Sequence, residues 1–130
     1  MTTIIKPDVY ISEETRKELV EKQHEEGQVV LHVDYLNPGW MDAIRIWPTT
    51  FLIPKDGGEN AKLITAEKIG IFPQWLIIPM TNNYRFTLIF SPLPKSCLVF
   101  DMMEIIPEPN GFFIGSIQRN KTDVYVVTLD

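Results

Sequence analysis

Tyr84-Arg-Phe-Thr-Leu-Ile-Phe90, then Ser91-Pro-Leu-Pro-Lys-Ser96, then Cys97-Leu-Val-Phe-Asp-Met-Met-Glu-Ile-Ile106 is the stretch whose reading decides the fold. Tyr84, Phe86, Leu88 and Phe90 stand two apart with Arg85 and Thr87 between them, the period of a strand with one buried face. Two prolines forbid a continuing ladder, and a second apolar run follows at once. The segment therefore predicts two long strands joined by a proline-stiffened loop, the spine of an all-β domain.

Working outward, Gln28 to Leu36 alternates in the same way, with Val29, Leu31, Val33 and Tyr35 on one face and His32 and Asp34 on the other. Asn37-Pro38-Gly39 has turn chemistry, and a further strand is expected over Asp42 to Trp47, broken by Pro48. Thr49 to Ile53 resumes an extended path into Pro54-Lys-Asp-Gly-Gly58, a hairpin loop. Ala61 to Ile69 reads as a strand, Gly70 to Pro73 as an irregular corner and Trp75 to Ile78 as a short apolar strand. Phe112 to Gln118 and Asp123 to Leu129 read as a closing pair. Toward the N-terminus, Ile4 to Ile11 suits a short edge strand. Ser12 to Glu26 is the one expected helix, capped by Ser12 and stopped by Gly27. Eight or nine short strands separated by turns argue for an antiparallel sandwich or barrel rather than βαβ units. Residues 1–130 are expected to form one domain, with 1–27 as an extension and 28–130 as the body. Its core should draw on Leu31, Val33, Ile44, Ile46, Phe86, Leu88, Phe90, Phe100 and Ile117.

The chain has 130 residues, 45% hydrophobic and 22% charged, enough apolar material for a packed core. Its net charge is −5, which speaks against a nucleic-acid partner. Ser12 to Glu26 carries six acids against Arg16, Lys17 and Lys22, a local −3 that leaves −2 for the rest. One cysteine, Cys97, excludes an internal disulfide. The first residues show no basic region followed by an apolar run, and no run approaches the roughly 18 residues of a membrane helix. A cytoplasmic protein without a membrane partner is expected.

The order Val-Val-Leu-His-Val, Gly39-Trp40, Thr-Thr-Phe-Leu, the Tyr84–Lys95 segment and Phe100-Asp-Met-Met-Glu104 resembles the immunoglobulin-like β-sandwich domains common in uncharacterised bacterial proteins, notably those of gut bacteria. The resemblance spans roughly residues 28 to 118. It implies an immunoglobulin-like sandwich and carries no catalytic residues with it.

Residues that could do chemistry are few. His32 and Asp34 share a strand face and could give a divalent metal two ligands, but no further ligand has matching spacing. The bland alternative is a solvated face with Asp34 paired to an arginine such as Arg45. Asp101 and Glu104, three apart, face opposite ways, which defeats acid–base work; one is expected to tie down a loop or a backbone amide and the other to face water. Cys97 lies beside Lys95, yet a lone cysteine at a strand start is usually a small core residue. No catalytic residue, cofactor or metal site is assigned. Trp40, Trp47 and Trp75 all sit beside prolines or turns and are the candidate contact residues, as a platform for a protein or a sugar or as caps on the core. The expectation is a non-enzymatic protein-interaction or structural module, monomeric or weakly dimeric. A carbohydrate-binding module using the loop tryptophans is the alternative, and a metal-dependent enzyme a weaker one.

Overall fold

The computed structural model describes residues 27–130, so the expected Ile4–Ile11 strand and Ser12–Glu26 helix lie outside the described residues. Ten strands run through the described part: β1 Val29–Tyr35, β2 Ala43–Ile46, β3 Thr50–Pro54, β4 Ala61–Glu67, β5 Gly70–Ile71, β6 Leu76–Ile77, β7 Tyr84–Phe90, β8 Val99–Glu104, β9 Phe113–Gln118 and β10 Val124–Leu129. Seven form one sheet in the order β10-β1-β7-β4-β3-β8-β9, and three form a small sheet in the order β5-β2-β6. Pairing is antiparallel except for β1 with β10 and β2 with β5.

Alternation along β1 and β7 builds the centre of the large sheet. Val29, Leu31 and Val33 pair with Phe90, Leu88 and Phe86, and all six are fully buried on one face. β10 adds Tyr125 and Leu129, β3 adds Leu52, β8 adds Phe100 and Met102, and β9 adds Ile117 to the same cluster. The nine core residues expected from the sequence are all buried. Burying a side chain of this size is worth roughly 1.5–3 kcal/mol, so these strands supply the main driving force.

The sheet curls until its two ends, β9 and β10, come back beside each other. An immunoglobulin-like sandwich of two facing layers is not what this strand order describes; a nearly closed barrel is. Alternation fixes which face of each strand is buried, and either architecture satisfies that requirement. The two spine strands are accordingly not partners: β7 lies between β1 and β4, and β8 between β3 and β9. The expected closing pair of β9 and β10 is likewise adjacent without sharing a ladder. A groove of about 410 Å³ runs between them, lined by uncharged residues such as Ile114, Ser116, Gln118, Val126 and Thr128.

Arg119 pins the corner that joins these two strands. Its Nε and Nη2 donate to Asp123 at 2.6 and 3.1 Å, and its Nη1 donates to the carbonyls of Pro94 and Cys97. Tyr125 Oη donates to Asp123 in turn, and burial pushes this phenol up to about 12. The small sheet covers the barrel side with Ile44, Ile46 and Ile78 turned into the common core. No helix of the described residues is long and apolar enough to cross a membrane.

Candidate functional site

The outward face of the small sheet is where the structure gathers exposed apolar side chains. In β2, Ile44 and Ile46 are buried, so Ala43 and Arg45 point the other way. Ala43 pairs with Ile77 and Ile44 with Leu76. Extending that register by one residue sets Arg45 across from Trp75. Paired residues share a face, so Arg45, Trp75, Ala43 and Ile77 form one outward layer.

Ring contacts hold this layer together. The Arg45 guanidinium lies 4.0 Å from the Trp75 ring centroid and 4.6 Å from that of Phe72. Phe72 stacks on Trp47 at 3.8 Å. Each cation–ring contact at a partly exposed site is worth about 0.5–1 kcal/mol. Arg45 Nη1 also donates to the Pro73 carbonyl at 3.3 Å. The chain turns back tightly after β5: a side chain at Gly70 would place its Cβ 2.3 Å from the Gln74 carbonyl oxygen. Only glycine fits this close approach, which brings Trp75 over Arg45.

Beyond this stack the surface is open. Trp75 is 56% exposed and Ile77 81%. Ile78 N donates to Asp42 O, and two residues beyond each end of that bond stand Met80, 61% exposed, and Trp40, 69% exposed. Arg45 belongs to none of the three ion pairs among the described residues, which are Lys55–Asp101, Arg85–Asp34 and Arg119–Asp123.

The tryptophans singled out from the sequence thus have different fates. Trp47 and Trp75 enter one aromatic layer through Phe72 and Arg45, while Trp40 takes part in no ring contact among the described residues. Trp47 is the least exposed of the three. Sequence reasoning missed Arg45, Phe72, Ile77 and Met80 as surface components. The Ile44-Arg45-Ile46 alternation already places Arg45 outward. Phe72 gave no such signal, because its position depends on β5 pairing parallel to β2.

The remaining candidates are occupied by structural contacts. His32 Nδ1 shares a hydrogen bond of 2.8 Å with Thr87 Oγ1. Asp34 accepts two hydrogen bonds from Arg85, at 2.6 and 2.9 Å. Its partner is therefore Arg85 and not Arg45, because the β1–β7 register puts Asp34 directly opposite Arg85. Burial and the Arg85 charge push the His32 imidazole below its usual value, against a smaller upward pull from Asp34. Among the described residues no group of three or more histidine, cysteine or acidic side chains is placed to hold a metal. Cys97 is buried, its Sγ 3.5 Å from the Val99 carbonyl, and burial pushes its thiol up. Asp101 accepts from Ser116 N and pairs with Lys55, and Glu104 accepts from the amides of Trp47 and Phe112, so both carboxylates hold backbone amides where the sequence reading has one of them face water. Comparison of the chain with protein-family models, curated proteins and solved structures finds no match.

Proposed function

We propose that the chain is a non-enzymatic protein-interaction module that docks through the outward face of the β5-β2-β6 sheet. The observation carrying this reading is the apolar layer of Trp75 and Ile77, backed by Arg45 and Phe72 and standing in solvent. A contiguous exposed patch of large apolar side chains favours an interaction surface, and aromatic, methionine and arginine side chains are the ones enriched at such surfaces. The stacking of Trp75 on Arg45, whose guanidinium also lies over Phe72, supports it further, because a side chain held before binding loses less entropy on binding.

Carbohydrate binding remains the second reading and rests on Trp40. A sugar ring needs an open aromatic face; Trp75 carries the Arg45 guanidinium on one face and Trp47 lies against Phe72, leaving Trp40 as the tryptophan without a ring contact among the described residues. The metal-dependent alternative rests on His32 and Asp34, both engaged by strand neighbours. Kinship with immunoglobulin-like bacterial domains stays a proposal carried by the Tyr84–Glu104 motif.

The test is selection from a phage-displayed random dodecapeptide library on the wild-type protein, an Ile77→Ser variant and a Leu98→Ser control. Leu98 is exposed and lies outside the small sheet. Selected peptides should bind Ile77→Ser about tenfold more weakly and the Leu98→Ser control unchanged. Failure to select any peptide with that dependence overturns the reading. Glycan-array binding abolished by Trp40→Ala would install the carbohydrate reading in its place.

A further inference from the structure

We infer that the segment bound on this face carries a carboxylate that pairs with Arg45, so that the module recognises an acidic–aliphatic peptide rather than a purely apolar one. The inference rests on the docking reading above and goes on to name the chemistry of the partner. Its basis is charge complementarity. Eight basic side chains stand in the described residues, and Arg45 is the one placed inside the exposed apolar layer. Among the described residues no carboxylate pairs with it, and its one described hydrogen-bond acceptor is the neutral Pro73 carbonyl at a long 3.3 Å.

The position of the guanidinium fixes what it can do. Two rings within 4.0 and 4.6 Å shed water from its faces, leaving the N–H edge as the part free to bond. A guanidinium presents five donors in a planar fork, matched in geometry by a carboxylate and bonded by it in bidentate fashion. Arg85 with Asp34 and Arg119 with Asp123 already show this pairing elsewhere in the fold, each through two N–H···O contacts. Ile77 and Trp75 lie next to Arg45 on the same face, so aliphatic side chains flanking the acid would cover them. The outer edge of β6 has no strand partner among the described residues, which suits a segment in extended conformation. A lipid surface is the less favoured occupant: membrane-surface binding normally draws on several basic residues, and Arg45 is the one basic residue within β2, β5 and β6.

The experiment takes the peptides selected on the wild-type protein, synthesises the best binder, and measures its affinity by calorimetry. The same is done for its Asp→Asn or Glu→Gln analogue and for an Arg45→Gln protein, closing a double-mutant cycle. An acid at one fixed position is expected, with neutralisation costing about tenfold on wild-type protein and nothing further on Arg45→Gln. Arg45→Lys should recover part of the affinity, since it restores charge without the fork. Peptides that need Ile77 yet lack a fixed acid, or whose acid is indifferent to Arg45, overturn this inference and leave the docking reading standing. Absence of any Ile77-dependent peptide takes both down. Co-sedimentation with phosphatidylcholine–phosphatidylserine vesicles that Ile77→Ser abolishes would assign the face to a membrane and overturn the inference as well.

Discussion

Glu104 sits at the end of β8 with its side chain turned inward, and its two carboxylate oxygens serve two different parts of the chain. Oε2 accepts from Trp47 N at 2.9 Å and Oε1 from Phe112 N at 3.0 Å. An inward carboxylate satisfied by two backbone amides is a structural clip between the β2–β3 connection and the approach to β9. Truncating it leaves two amides without acceptors, each in a partly buried place. Glu104→Ala should therefore lose about 1–3 kcal/mol in urea unfolding with an unchanged slope, and Glu104→Gln, which keeps one acceptor, should lose less. Equal midpoints for Glu104→Ala and wild type would refute the clip. The sequence already sets Asp101 and Glu104 on opposite faces and favours tying down an amide over acid–base chemistry. It does not say which amides, because Trp47 lies 57 positions away along the chain.

Within the large sheet, β9 and β10 differ from the other five strands in having one ladder each. The connecting residues 119–123 bring them together, and the β1–β10 and β8–β9 pairings use their other edges. Their amides facing the groove have no strand partner, whereas Thr87 to Phe90 of β7 lie between β1 and β4. Native-state hydrogen exchange should show the groove-facing amides of β9 and β10 exchanging at least tenfold faster than those of Thr87, Leu88 and Ile89. Uniform protection around the sheet would mean that the barrel is closed in solution. β9 also departs from regular pairing: the register with β8 shifts between Phe100 and Met102, and Ser116 takes a φ of +56° with its amide bonded to Asp101. Such a bulge bends the strand and re-aims its edge. Nothing in Phe-Ile-Gly-Ser-Ile-Gln announces it beyond the glycine.

At the scale of the whole molecule, stability should depend on pH through the strip on the outer face of β1 and β7. His32 binds its proton less readily in the folded chain than at its usual 6.5, and Asp34 is held below its usual 3.8, first by the hydrogen bonds from Arg85. In both cases the unfolded chain takes up the proton first as pH falls. Stability therefore holds above about pH 6.5, declines below it as His32 resists charging, and declines again below about 3.8. Urea midpoints measured between pH 7.5 and 5 should fall for wild type and flatten for His32→Gln; an unchanged slope in the variant would place the linkage elsewhere. Two-residue alternation sufficed to make residues 27–130 all-β and to name Leu31, Phe86, Leu88 and Phe100 as core, because the faces of a strand are set by local geometry. It also put His32 and Asp34 on the outer face. Only the tertiary structure decided that the large sheet curls into a nearly closed barrel, that Asp34 meets Arg85, and that Arg45 lies against Phe72 and Trp75. Those outcomes depend on which strands become neighbours and in what register, and pairing between distant segments leaves no trace in the periodicity of either one.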